Sequence, residues 1–170
     1  MIIRDADPSE FEQLAWLQIR SWRDVYRGVM ADWYLDDEIE RDLLTRWAEL
    51  TPKGNDLILV ADDGGIKGFV TIWCQPDPLI DNLHVEPGLR SKGTGGLLMR
   101  KTAERLIEAG YDAVYLYVAA ENERAMAFYR KLGGQFGEVE QYEHRHGQNV
   151  NAIKVTFDDL RALQNAGLKA

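Results

Sequence analysis

The sequence predicts a single mixed α/β domain, and three observations carry that prediction. The spacing of apolar residues switches repeatedly between the helical period and the strand period along all 170 residues. The switching is not interrupted by a Pro/Ser-rich linker, an internal repeat or a low-complexity tract, so 1–170 reads as one unit. In the middle of the chain a glycine-rich stretch joins a strand pattern directly to a helix pattern, as a strand-to-helix crossover requires. The result expected is an α+β mixed sheet of about seven strands, antiparallel at its start and finish, with one parallel crossover at its centre and helices on its flanks.

Taken in order, MIIRDA is a short first strand. Asp7 as cap, Pro8 at the first position and Glu10 then open a helix that runs to Gly28, with Phe11, Leu14, Ala15, Ile19, Trp22, Val25 and Tyr26 on one stripe. Gln18 alone breaks that stripe. Ile39, Leu43, Trp47 and Leu50 give a second helix over 36–50. LILVAD (57–62), the break DGG and IKGFVTIWC (66–74) form a hairpin. LIDNLHV (79–85) is the next strand. From Gly95 a helix carries Leu98, Met99, Thr102, Ala103, Leu106 and Ile107 on one face and stops at Gly110. AVYLYV (113–118) is a strand, 121–134 a short helix ending at Gly133, and 135–145 and 150–157 two closing strands. The tail from Asp158 reads as a short surface helix.

Composition removes several classes. No apolar run reaches the roughly 20 residues of a membrane span. The charged N-terminus MIIRDADPSE lacks the apolar core of a secretory leader, so a cytoplasmic protein is expected. The single cysteine, Cys74, excludes a disulfide framework within one chain and reads as a plain buried thiol. A net charge of −8 argues against nucleic acid as a partner.

The stretch LHVEPGLRSKGTGGLLMRKT (83–102) runs against this acidity. Between residues 90 and 105 stand five basic side chains, Arg90, Lys92, Arg100, Lys101 and Arg105, and one acid, Glu104. A loop of free N–H groups leading into a helix N-terminus favours an anion, and glycines let phosphate oxygens approach the backbone. A tight turn with a solvated basic face is the plainer alternative. The segment lacks G-x-x-x-x-G-K-[ST], and Leu98 stands where a G-x-G-x-x-G motif would need its third glycine, so neither a P-loop nor a dinucleotide fingerprint is present.

What remains is Arg90-Ser91-Lys92-Gly93-Thr94-Gly95, which closely resembles the acetyl-coenzyme A signature Q/R-x-x-G-x-G/A of the GNAT superfamily of N-acetyltransferases. The second GNAT pattern, N-x-x-A-x-x-F-Y-x-K-x-G, is matched at Asn122, Ala125, Phe128, Tyr129, Lys131 and Gly133. The two stand in the family's order, and with the flanking elements the resemblance covers the whole chain. It implies a fold whose central parallel strands splay apart, with the pantetheine arm of acetyl-coenzyme A paired to the first of them at Leu83, His84 and Val85. Backbone N–H groups of Ser91, Lys92, Gly93, Thr94, Gly95 and Gly96, beside Arg90, would grip the pyrophosphate. Asn122, Ala125, Phe128, Tyr129 and Lys131 would flank the donor from the other side.

The resemblance also implies direct attack of an amine on the thioester, without a metal. Tyr129 stands in the position of the family's usual acid; the alternative for it is a helix aromatic packed on Phe128. Asn122 can also be a plain helix cap. For the base, Asp81 and His84 are the candidates, beside a reaction with no protein base. Strict alternation puts Asp81 with Leu83 on one face and Asn82 with His84 on the other. Trp22, Tyr26, Trp33 and Tyr34 lie where the family covers its acceptor and could line an amine pocket, although Trp22 and Tyr26 at helical spacing also suit a core. His144 and His146 alternate on a late strand without a third ligand type nearby, so no metal site is expected. The expected partners are acetyl-coenzyme A and a small amine, with homodimer formation through 135–157 as a further expectation. Acetylation of a protein N-terminus or lysine, and an acyl-coenzyme A binding domain without catalysis, are the alternatives.

Overall fold

The computed structural model describes residues 1–143 and 147–167. Its seven strands are β1 (Ile2–Asp5), β2 (Leu57–Asp62), β3 (Ile66–Trp73), β4 (Leu79–Val85), β5 (Val114–Ala119), β6 (Gln135–Glu143) and β7 (Asn149–Phe157). They form one sheet in the order β1-β2-β3-β4-β5-β7-β6. Every neighbouring pair is antiparallel except β4 and β5. The helices are α1 (Phe11–Val25), α2 (Ile39–Glu49), α3 (Thr94–Glu108), α4 (Glu123–Lys131) and α5 (Leu160–Gln164). Among the described residues no helix is long and apolar enough to cross a membrane.

The start of the first helix follows its local chemistry. The Asp7 carboxylate accepts the N–H of Ser9 at 2.9 Å, and Glu10 reaches back to the N–H of Asp7 at 2.8 Å. This capping box holds a 3-10 turn, Pro8–Glu10, that feeds α1. Strand alternation then divides the apolar residues between two layers. Leu59, Ala61, Val70 and Ile72 face a core built with Leu98, Met99 and Leu106 of α3, whereas Ile58, Val60 and Phe69 face Leu14, Leu17 and Trp47 of α1 and α2.

Two elements differ from the sequence expectation. The second helix begins as a π-helical turn, Tyr34–Glu38, before α2 proper, and Tyr34 and Leu35 in that turn are buried. The tail helix is not a surface element: Leu160 and Leu163 of α5 are buried in the α3 core, so its apolar pair outweighs its polar flanks. The strand expected over 135–145 is described as β6 to Glu143, and His144 and His146 lie outside the described residues.

The two apolar faces are unequally covered. Beyond β4, the residues of β5 and β7 that point toward the α1 side include Tyr115, Tyr117 and Lys154, and Tyr117 and Lys154 are exposed. The clusters around α1 and α2 take their strand residues from β2 and β3 only.

Candidate active-site cleft

The parallel pair that holds the centre of the sheet is short. β4 and β5 register only at Leu79↔Tyr115 and Ile80↔Leu116, and past these two pairs the strands part. Main-chain groups on the β5 side of β4 from Asp81 onward are left without a strand partner. The opening continues as a cleft of about 1510 Å³ running from α1, between β4 and β5, to the glycine loop and α4. Leu83, His84 and Val85 lie along its β4 wall.

The glycine loop caps one end. After a 3-10 turn, Pro87–Leu89, the chain passes through Ser91 at φ 64 and Gly93 at φ 90, both left-handed, and enters α3 at Thr94. A side chain at Gly93 would meet the penalty of that φ, yet open space lies in front of its Cα, so the backbone there is accessible. The first N–H groups of α3 have no intrahelical acceptor and point with the positive end of the helix dipole into the same region. Gly95 serves packing: a Cβ built on it would sit 3.2 Å from Cζ of Phe128. The bare first turn of α3 is therefore what lets α4 approach. Lys92 is exposed, Thr94 and Gly96 are buried in the turn, and Lys131 lines the cleft. This cradle suits a polyphosphate by shape, donor set and charge.

Arg90 does not project into that cradle. Its guanidinium pairs with Asp24, donates to Oγ of Ser21 at 3.1 Å and reaches the carbonyl of Val85 at 3.3 Å. It fastens the start of the loop to α1.

Across the cleft, α4 carries the second motif. Oδ1 of Asn122 accepts the N–H of Ala125 at 3.0 Å, so Asn122 caps the helix with one end of its amide. Phe128 packs edge-on against Tyr129, ring centroids 5.2 Å apart. Tyr129 is 8% exposed and lines the cleft, and its hydroxyl has no hydrogen-bond partner among the described residues. Burial, with Tyr26 nearby, pushes the Tyr129 phenol well above its ordinary range, so it stays an O–H donor throughout physiological pH.

The faces of β4 differ from strict alternation because of a bulge. The β3 register passes from Thr71↔Asn82 to Ile72↔Ile80, leaving Asp81 as an extra residue. Ile80 and Leu83 both pack toward α3, and Asp81 stands next to Asn82, whose Nδ2 reaches the Asp81 carboxylate at 3.2 Å. The pairing of Asp81 with Leu83 is therefore corrected. Asp81 is exposed to the cleft; burial, and secondarily the Asp81 charge, raises the phenol of Tyr26 at the C-terminal end of α1. Asp81, Tyr26 and Tyr129 thus form one neighbourhood.

His84 belongs to a different arrangement. Nε1 of Trp22 donates to its Nε2 at 3.3 Å, which leaves Nδ1 to carry the proton toward Oγ of Ser21 at 2.9 Å. Burial, and secondarily Arg90, pull the imidazole down to about 3. It is neutral and its lone pair is engaged, which suits a strut better than a base. Sequence reasoning missed the polar chain that lies beside it. Gln18, 1% exposed, donates to Oδ1 of Asn82 at 2.8 Å and accepts from Nε1 of Trp47 at 2.7 Å, while Asn82 also donates to Thr71 at 3.0 Å. Two lines of hydrogen bonds result: one runs from Trp47 through Gln18 to Asn82, with branches to Thr71 and Asp81, and the other from Trp22 through His84 and Ser21 to Arg90. The one signal in the sequence was a polar residue inside an apolar stripe.

Of the four aromatics expected at the acceptor end, the cleft brings together Trp22 and Tyr26, whose rings meet edge-on at 5.2 Å. Tyr34 is fully buried and donates to Asp42 at 2.5 Å, so it is core, and Trp33 stands 50% exposed outside the cleft lining. The segment between α1 and α2 is tied across to the β6–β7 connection by Ala31 N–H donating to Gln148 Oε1 at 2.7 Å.

Comparison with known proteins agrees with this geometry. The sequence profile of the acetyltransferase (GNAT) family matches residues 16–134. The chain is similar to the N-acetyltransferase YuaI of Bacillus subtilis (strain 168), at 23% identity over 170 residues and 95% of each chain. It is similar to a mycothiol acetyltransferase of Beutenbergia cavernae, at 30% identity over 135 residues, 77% of this chain and 44% of that protein. Its fold matches the crystal structure of PaiA N-acetyltransferase from Thermoplasma acidophilum in complex with coenzyme A, with TM-score 0.68, 19% identity, and 92% and 98% of the two chains covered.

Proposed function

The chain belongs to the GNAT acetyltransferase family, and from that premise we propose that it transfers the acetyl group of acetyl-coenzyme A to a primary amine of a small molecule by direct attack. The observation that carries this reading is the convergence, where β4 and β5 part, of an unpaired strand edge, the Asp81–Tyr26–Tyr129 neighbourhood and the glycine cradle.

Each part has a task that its chemistry suits. N–H groups at the start of α3 hold pyrophosphate oxygens, with Lys92 and Lys131 adding charge. The edge of β4 from Leu83 to Val85 offers main-chain groups to an extended amide-bearing arm, as a strand would. Bound there, acetyl-coenzyme A supplies the thioester carbonyl carbon, to which the amine nitrogen bonds as the C–S bond breaks. Asp81 accepts, through water, the proton that the acceptor ammonium must lose, since an alkyl amine has a pKa near 10.4 and arrives charged. Tyr129 donates its O–H to the departing sulfur and regains a proton from solvent. Asn122 has its amide N–H2 left for the donor arm after capping α4.

Thiol release from acetyl-coenzyme A, run against polyamines, amino acids, aminoglycosides and short peptides, tests the reading. Amine-dependent release that falls about 100-fold or more in Tyr129→Phe supports both the reaction and the acid. Release that Tyr129→Phe leaves intact removes Tyr129 from the chemistry. Donor binding without turnover on any amine would point instead to an acyl-coenzyme A binding domain.

A further inference from the structure

The cleft does not end at Asp81. Leu79 and Ile80 register with Tyr115 and Leu116, so Asp81 and Tyr117 are the first positions on either side of the parting. Both lie on the α1 side of the sheet: Asp81 by its contact with Asn82, Tyr117 because its neighbours Leu116 and Val118 are in the α3 core. Following that face outward from β5, Ala119 lies opposite Ala152 on β7, and Ala152 opposite Glu140 on β6. Two alanines leave a low floor. Over it the ring of Tyr142 on β6 reaches that of Tyr117, with centroids 4.7 Å apart and planes at 60°, and the Tyr142 hydroxyl donates to Oε2 of Glu140 at 2.9 Å. Tyr117 and Tyr142 line the cleft itself.

Tyrosine faces backed by a carboxylate are an environment for a cation. The same row shows the chemistry once already: the ammonium of Lys154 rests over the ring of Tyr115 at 4.4 Å. Among the described residues, no cation of the chain occupies the next two rings, and Tyr117 is 43% exposed although no apolar cluster needs it there.

Resting on the acetyl-transfer reading above, we propose that Tyr117, Tyr142 and Glu140 form a subsite for a second positive group of the acceptor, which is therefore an amine with at least two cationic centres. Its attacked nitrogen sits by Asp81 and its far cation over Tyr117 and Tyr142. One to two strand spacings separate these points, about 5–10 Å, which a chain of roughly three to six methylenes spans.

The test compares kcat/KM for straight-chain diamines of three to eight carbons with monoamines of equal length, in the wild type, Glu140→Gln and Tyr117→Leu. Diamines should be preferred, with an optimum inside the series, and each variant should lower the diamine-to-monoamine ratio by about threefold to tenfold. Equal use of diamines and monoamines, or a ratio that neither variant changes, overturns the subsite. Should no amine be acetylated, it is the transfer reading that fails. Calorimetric titration with 1,4-diaminobutane against butylamine then decides the subsite: preferential binding weakened by Glu140→Gln upholds it, and absence of preference overturns it.

Discussion

Replacing Gln18 by leucine removes a side chain that is 1% exposed and bonded at both ends. The indole N–H of Trp47 loses a buried partner at 2.7 Å, and Oδ1 of Asn82, on the cleft wall, loses one at 2.8 Å. Each buried group left unpaired costs about 1–3 kcal/mol. The extra apolar surface of leucine returns about 1 kcal/mol, so the net loss is about 3 kcal/mol. For a chain of 170 residues that is a fall in Tm of roughly 6–12 °C. Thermal melts of Gln18→Leu, Trp47→Phe and the double variant measure it. Because the double variant removes both partners of one bond, it should cost less than the sum of the singles by about 1 kcal/mol. A Gln18→Leu protein that melts within about 2 °C of the wild type, or strict additivity, refutes the buried network as described.

Three further outcomes follow from other contacts. His84 titrates near 6.5 in the unfolded chain and at about 3 when folded, so the unfolded state binds more protons between those values. Stability is therefore lost as pH falls from 6.5 toward 3, at up to about 1.4 kcal/mol per pH unit, and melts across that range should be flatter for His84→Gln. Arg90→Leu frees the loop from Asp24 and Ser21, and calorimetry should show about tenfold weaker coenzyme A binding with less salt dependence lost than in Lys92→Ala, because Arg90 acts by holding the loop and Lys92 by its charge. Gly95→Ala drives a methyl to within 3.2 Å of Phe128, so donor affinity should drop severalfold while Tm changes little, the helix propensity of alanine offsetting the crowding.

Much of this architecture was legible because it rests on short-range rules. The capping box at Asp7 and Glu10, the hairpin around 63–65 and the glycine entry to α3 each state their geometry in a few residues. What escaped depends on residues distant in sequence. A bulge beside Thr71 decides which face Asp81 takes, and nothing in LIDNLHV marks it. Tyr34 and Trp33 are adjacent aromatics, yet packing inside a π-helical turn buries one and leaves the other half exposed. Arg90 reads as an anion ligand until Asp24 and Ser21, more than sixty positions earlier, are seen beside it. Leu160 and Leu163 looked like part of a polar tail because two apolar residues in a five-residue helix form too short a stripe to be read as a buried face.

The two-pair junction between β4 and β5 has a mechanical meaning as well. On its main chain the sheet is two plates, β1–β4 and β5–β7–β6, laced at one end and open like a book at the other. A molecule that bonds along the inner edge of β4 acts as a splint across the open end. Donor occupancy and the stiffness of the whole sheet then rise together, so slowed amide exchange on the facing edges of both plates would register the arrival of the donor before any acetyl group has moved.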